Sequence, residues 1–333
     1  MIVMSLRDVA TAVAGEPSTD ADLSTVVSGR CEIDSRRVQP GDLFIAIKGD
    51  NHDGHDHVDA ALAAGAVAAV VTADGPGPRI LVPDTVAALA ALARAILEIR
   101  SDVTVIALTG SSGKTSTKDI IGQLLATSAP TVWPEGSFNN ELGLPLTVLR
   151  IDEETRYLVL EMGSRGPGHI QELCTIARPD VALVLNVGSA HVGEFGSVEN
   201  TARAKAELIE ALEPQGVAVL NADDPYVCAM AERTQAPIRW VGSGTSADVQ
   251  VIDVVLDDLA RPHVTLRIDD ETQELTLALH GEHQAINAAA AAAAATAAGM
   301  SRDQVFTALR SVRPQSRWRM EVTATADSTT VVN

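Results

Sequence analysis

Residues 103 to 125 read VTVIALTGSSGKTSTKDIIGQLL, and the centre of that stretch holds the residue types that bind phosphate. Gly110 and Gly113 let the backbone turn tightly, so that N–H groups from Thr109 through Ser116 converge at the start of a helix, where free donors and the helix dipole favour an anion. Ser111 and Ser112 add hydroxyls inside the turn. Lys114 would place a positive charge against the outer phosphates, and the Thr115 hydroxyl is positioned to hold Mg²⁺. The glycines form only GxxGKT, because Leu108 stands five positions before Gly113 where the longer GxxxxGK[ST] pattern has glycine. On these residues alone the stretch reads either as a nucleotide site or as a Gly/Ser turn with a surface lysine.

Other chemistry-bearing residues recur at similar places along the chain. Glu161 ends the apolar run YLVLE, and the C-terminal tip of a buried parallel strand faces the ligand crevice of an open α/β sheet. A carboxylate there suits Mg²⁺, which takes one or two carboxylates and completes its shell with phosphate and water. His191 follows the next apolar run, in VALVLNVGSAH, at the equivalent edge; alone it reads as a polar loop residue. Lys205 lies in the helical segment ARAKAELIE and alone reads as a solvated lysine. Asn139 and Asn140, in GSFNNELGLP, alone read as the cap of a helical turn. An acid and an imidazole at strand tips beside a phosphate loop make a functional reading of each stronger than it is for either alone.

The elements needed to position these groups are legible. Val103 to Leu108 has the apolar character of a buried strand, and apolar residues at helical spacing run from Thr117 to Leu125. Apolar strands at Tyr157 to Leu160, Val181 to Val187 and Val217 to Leu220 alternate with helical segments, the rhythm of a mainly parallel, doubly wound sheet. Residues 249–279, with HVTLRI and ELTLAL, predict a small antiparallel sheet; Gln284 to Ala298 predicts a helix ended by Gly299. The expected fold class is therefore α/β: a small N-terminal α/β domain over 1–83, then a P-loop domain over 84–313 in which 84–102 is a connecting helix. Residues 314–333 would begin a third domain, and the chain stops at TTVVN, inside an expected strand.

Composition bounds the partners. A chain of 333 residues with 46% hydrophobic and 21% charged content is globular rather than disordered. Its net charge of −19 argues against nucleic acid or an anionic membrane as the main partner, so a phosphate ligand must be met by local cations, backbone and metal. The three cysteines, Cys31, Cys174 and Cys228, show no metal-ligand spacing and fit a reduced, cytoplasmic protein. Neither the start, MIVMSLRDVATAVAG, nor the alanine run Asn287 to Ala298 has the character of a signal-peptide core or a membrane span.

The order of motifs then carries a resemblance. TGSSGKTS, FNNELGLP, EMGSRGPGHI, NVGSAHVGEFGS, AKAELIEAL, LNADDP, HGEHQAINAAAA and PQSRWRMEV resemble, in sequence, the Mur ligase family. The upstream segment DSRRVQPGDLFIAIKGDNHDGHDHVDAALAAGAVAAVV is similar to that family's UDP-binding domain. EMGSRGPGHI and AHVGEFGS are most similar to the members that add D-alanyl-D-alanine to UDP-N-acetylmuramoyl-tripeptide in peptidoglycan precursor synthesis. The resemblance implies ATP as the energy source and two Mg²⁺ ions, one on Thr115 and Glu161 and a second on His191. It implies a carbamylated Lys205, adenine on Asn287 and the γ-phosphate on Arg319, although Trp318 stands where many members have glycine. Asp34, Ser35 and Arg36 would lie near the uridine nucleotide, and Asn139 and Asn140 near substrate. A monomer is expected. Because family members continue for about another domain, the resemblance also implies that this chain folds and binds the UDP-linked substrate but ligates poorly by itself. Rival readings are the related ligase that adds the third amino acid, a P-loop kinase or GTPase, and a nucleotide-binding homologue without catalysis.

Overall fold

The computed structural model describes residues 1–188 and 196–316, together with the backbone of 322–324 and 330–332. The chain forms two compact units, one of residues 1–102 with 141–155 and the other of 103–140 with 156–333.

In the first unit, strands β1 (Glu16–Pro17), β2 (Cys31–Glu32), β3 (Leu43–Ile45), β4 (Ala68–Val71) and β5 (Arg79–Leu81) form a sheet in the order β1-β5-β4-β3-β2. Its three pairings from β5 to β2 are parallel, and β1 is an antiparallel edge. Helices α1 (Leu6–Ala12), α2 (Val58–Ala63) and α3 (Thr85–Ile99) accompany it. The Asp84 carboxylate starts α3 by accepting from the N–H groups of Val86 and Ala87, and Leu89, Leu92, Ala93 and Ile96 make its buried stripe. That stripe decides the domain boundary. The helix packs on α1 and on the helix Gly143–Val148 and groups with the first unit. Arg100 fixes the returning segment by donating to the Thr155 carbonyl at 2.9 Å while pairing with Asp102.

The second unit is built on one nine-stranded sheet. Its strands are β6 (Thr104–Thr109), β7 (Thr131–Val132), β8 (Tyr157–Glu161), β9 (Val181–Val184), β10 (Val217–Asn221), β11 (Ile238–Gly242), β12 (Val249–Leu256), β13 (Pro262–Ile268) and β14 (Glu271–Thr276). Their order is β14-β13-β12-β11-β10-β9-β6-β8-β7. Every pairing from β7 to β12 is parallel, and β12, β13 and β14 pair antiparallel. The antiparallel strands expected over 249–279 are thus an extension of the main sheet. Strand β6 lies third from one edge, with β8 on one side and β9 on the other, so the chain reverses its direction of travel across the sheet at β6. Beyond the sheet, β15 (Val322–Ala324) pairs antiparallel with β16 (Thr330–Val332), so the last strand has a hairpin partner.

Helices α4 (Lys114–Ala126), α5 (His169–Ile176), α6 (Val198–Glu210), α7 (His283–Ala297) and α8 (Arg302–Leu309) belong to this unit. Helix α7 carries an unbroken buried run from Ala288 to Ala295 and packs on α4 and on the strands β9 to β13. Alanine on all sides lets one helix approach several neighbours closely, because no side chain extends beyond a methyl. Gly299, at φ +102°, ends the segment where the sequence placed its stop. Among the described residues no helix is long and apolar enough to cross a membrane.

Dense packing around α7 makes it intolerant of volume. Ala291→Leu should lower the urea midpoint of the second unit, at a cost of about 1–3 kcal/mol, because Ala291 is fully buried. Ala297→Leu, at a half-buried position, should cost clearly less. Equal midpoints for the two variants would mean that the close approach of α7 is not limiting.

Candidate active site

The phosphate-loop residues lie where β6 ends and α4 begins. Thr109, the last residue of β6, is fully buried, and among the described residues its Oγ1 has no hydrogen-bond partner. Gly113 is the N-cap of α4, has φ +80°, and no side chain caps the helix. A β-carbon there would come within 2.7 Å of Asn287 Oδ1, so both the backbone angle and the neighbour require glycine. A β-carbon on Gly110 would similarly meet Leu185 Cβ at 2.9 Å. A helix start without a side-chain cap, beside an orphaned buried hydroxyl and a backbone bared by two glycines, is a cradle for an anion.

The loop is held from the neighbouring strand. Asn186 follows β9 and its Oδ1 accepts from the N–H groups of Ser111 and Ser112, each at 3.0 Å, while its Nδ2 donates to the Ser112 carbonyl at 3.2 Å. The N–H of Gly188 donates to Ser111 Oγ at 2.8 Å. Reading the sequence missed Asn186. Its signal was the polar residue that ends the apolar run VALVLN, at the strand edge already used to pick out Glu161 and His191. Lys114 folds back so that Nζ donates to the Gly110 carbonyl at 2.8 Å, which keeps its charge at the loop.

Beside the loop stands Glu161, almost fully buried at the tip of β8. Its Oε2 accepts from Thr115 Oγ1 at 2.9 Å, and its Oε1 accepts from Ser137 Oγ at 2.8 Å and Asn139 Nδ2 at 2.7 Å. Asn139 therefore does not cap a helix; the N-cap of the following helix is Leu142. Ser137 was also missed, since a serine in GSFNN gives no sign that it faces a carboxylate. A carboxylate offers about four acceptor positions and three are taken, one of them by the proton that Thr115 donates inward. This pair fits a Mg²⁺ ion that draws its other ligands from phosphate and water. Among the described residues there is no group of three or more His, Cys, Asp and Glu arranged for a metal.

Lys205, on α6, is not the solvated lysine its helix suggested. It is buried, and burial first, then repulsion from Lys114, lowers its pKa from 10.5 to about 8. Two lysines thus share the neighbourhood of the loop, and one of them loses its proton more readily than an exposed lysine does.

Residues 108–295, more than half of the chain, match the Mur ligase middle domain, and residues 30–96 match the Mur ligase family catalytic domain. The chain belongs to the Mur ligase family. It is 43% identical over 362 aligned positions to the UDP-N-acetylmuramoyl-tripeptide–D-alanyl-D-alanine ligase of Mycobacterium tuberculosis strain H37Rv, covering all of this chain and 70% of that one. The enzyme of the same name from Bacillus subtilis is 34% identical, covering all of this chain and 72% of its own. Among solved structures, MurF from Acinetobacter baumannii superposes with a TM-score of 0.89 at 33% identity, over 97% of this chain and 71% of that one. MurF from Thermotoga maritima in complex with ADP superposes with a TM-score of 0.78 at 33% identity, over 90% and 69%.

The remaining residues expected of a Mur ligase are placed as follows. Asn287, on α7, is buried, donates to Gln284 Oε1 at 3.1 Å and lines a narrow pocket with Leu185, Asn186, Asn221, Val241 and Ala290. Ser116 lies in the first turn of α4, and Asn140 is half-buried next to Asn139. Asp34, Ser35 and Arg36 form a turn after β2 in the first unit. There Arg36 grips Asp34 at 2.7–2.8 Å, and these hydrogen bonds hold the Asp34 carboxyl down to about 2. His191 and Arg319 fall outside the described residues.

Lys205 yields a prediction about stability. Its folded-state pKa lies below its unfolded value, so the cost of burying the charge is full below about pH 8, shrinks between pH 8 and 10.5, and is absent above. Lys205→Met should therefore stabilise the chain at pH 7, by at most about 3 kcal/mol, and the gain should vanish by pH 10.5. Urea denaturation at the two pH values measures it. A pH-independent difference between variant and parent would show that the lysine is not buried as a charge.

Proposed function

We propose that this chain is an ATP-dependent, ADP-forming amide ligase that joins D-alanyl-D-alanine to UDP-N-acetylmuramoyl-tripeptide, in the cytoplasm. The observation that carries this reading is the convergence at one sheet edge of an anion cradle, the Thr115–Glu161 pair and the buried Lys205. A kinase needs the first two, but it has no use for a buried lysine of lowered pKa beside them. The relatives' names supply the substrates, and the ADP held by the Thermotoga maritima structure supplies the nucleotide class.

In the reaction proposed, the tripeptide carboxylate attacks the γ-phosphorus, the bond to the ADP oxygen breaks, and an acyl phosphate forms. The amine of the dipeptide then attacks the acyl carbon; phosphate leaves and the amine nitrogen gives up a proton. Bringing a carboxylate onto a polyanion demands screening of charge. Lys114 and the α4 N-terminus supply part of it. Mg²⁺ bound at Thr115 and Glu161 would withdraw further charge from the phosphoryl oxygens. Asn186 keeps the loop N–H groups fixed, so no reorganisation is needed as charge develops. Asn287 is assigned to adenine, Arg319 to the γ-phosphate, His191 to a second Mg²⁺, and Asp34, Ser35 and Arg36 to the uridine nucleotide.

Lys205 is assigned a carbamate. The neutral amine is the form that attacks CO₂, making an N–C bond and releasing a proton, and a pKa of about 8 raises the neutral fraction at pH 7 well above that of an exposed lysine. The product is a carboxylate-like group, which attracts a cation where the ammonium would repel it.

Incubation with ATP, Mg²⁺, UDP-N-acetylmuramoyl-tripeptide and D-alanyl-D-alanine tests the function by mass, both for this chain and for one extended to the length of its relatives. The amide and ADP are expected together; ADP formed without the amide in both would favour a kinase or ATPase. Lys114→Ala should lower turnover on the order of 10³-fold with the fold intact. Lys205→Ala should lose activity and regain part of it with added short carboxylic acids. Full activity in that variant without any addition would remove the carbamate from the mechanism.

A further inference from the structure

The helix that starts at the phosphate loop carries a second lysine one turn on. Lys118 is fully buried, and its Nζ makes three short contacts: to the carbonyls of Pro134 at 2.6 Å and Gly136 at 2.9 Å, and to Asp119 Oδ1 at 2.7 Å. An ammonium has three protons, and here all three are spent on the protein. It therefore has no donor left for a phosphate. A buried charge is costly unless each of its protons is met, so its presence calls for a task that an apolar side chain could not perform.

That task follows from what comes next in the chain. Gly136 precedes Ser137, and Ser137 and Asn139 are the two residues that donate to Glu161 Oε1. Asn139 Nδ2 also donates to Ser137 Oγ at 2.8 Å, and the N–H of Gly163, just beyond β8, donates to the Asn139 carbonyl at 2.9 Å. The turn has little else to hold its tip: Gly136 sits at φ +69°, and a β-carbon there would meet nothing within 4 Å. On the other side, Asp119 Oδ2 accepts from Ser316 Oγ at 2.6 Å, while Gln123 bonds both the N–H and the carbonyl of Arg313 at 3.0 Å.

We propose that Lys118 is a positioning residue: its buried ammonium pins the 134–136 carbonyls so that Ser137 and Asn139 hold Glu161 in the orientation that faces Thr115. This rests on the reading of Thr115 and Glu161 as a Mg²⁺-holding pair. Lys118 acts on the carboxylate through the loop, and through Asp119 it sets that loop in register with residues 313–316. Groups that orient a metal-binding carboxylate control metal affinity, typically by ~10–100-fold on substitution.

The test is ADP binding by calorimetry in Mg²⁺ and in EDTA, with thermal melting as a check of folding. In Lys118→Met the enhancement of ADP affinity by Mg²⁺ should fall ~10-fold or more, with affinity in EDTA within ~2-fold of the parent. An unchanged enhancement, or equal losses with and without metal, overturns the assignment, since a lysine that only supports the fold would affect both alike. If Lys118→Met does not fold, Asp119→Asn takes its place; a smaller fall in the enhancement supports the assignment, and none overturns it. A parent chain whose ADP binding is not enhanced by Mg²⁺ overturns the reading of the Thr115–Glu161 pair itself, and with it the role of Lys118.

Discussion

The hydrogen bond from Thr115 to Glu161 joins the first turn of α4 to the tip of β8, and most of the second unit serves to keep those two atoms 2.9 Å apart. The parallel pairing of β6 with β8 puts Glu161 opposite Leu108, one residue before the strand gives way to the loop. A shift of one residue in that register would turn Glu161 to the other face of the sheet. Tight packing of α4 against the alanine helix α7 fixes the other end of the bond. A carboxylate buried this deeply would destabilise the fold if unpaired, so Ser137, Asn139 and Thr115 are at once its solvation shell and its orientation.

Charge in this unit is local in its effect. The chain as a whole is strongly acidic, yet the loop region gathers Lys114, Lys118 and Lys205. Their environments sort them into separate tasks. Lys114 bonds a loop carbonyl and stays at the anion cradle. Lys118 spends every proton on the protein. Lys205 is pushed towards neutrality by burial and by Lys114. Helical spacing alone, with Lys114 and Lys118 four residues apart, suggests two equivalent phosphate ligands; only the acceptors around each nitrogen separate them.

What was legible in the sequence was whatever has a periodic or covalent signature. Strand, turn and helix at 103–125 follow from apolar spacing and from two glycines, and Glu161 was found because a charged residue ended an apolar run. The same argument would have found Asn186, which ends the next one. Ser137 and Lys118 were beyond it, because their roles depend on contacts between segments separated by about 20 residues in one case and on burial in the other. The grouping of α3 has a related origin: it is a helix by its own spacing, but the unit it joins depends on which surfaces its apolar stripe meets.

The excursion of residues 141–155 into the first unit shows how the site tolerates an interrupted chain. Asn139 lies just before the excursion and Glu161 just after it, and the two bond each other at 2.7 Å, with the Asn139 carbonyl also bound by the N–H of Gly163. Closing a loop of this length carries a modest entropic cost that grows only slowly with length. The bonds that close it are those that orient the carboxylate. A change in the length of the excursion that keeps both ends would therefore leave the Glu161 cluster intact, whereas a change at Asn139 would remove one of the three donors to the carboxylate and the one side-chain bond that closes the loop onto it.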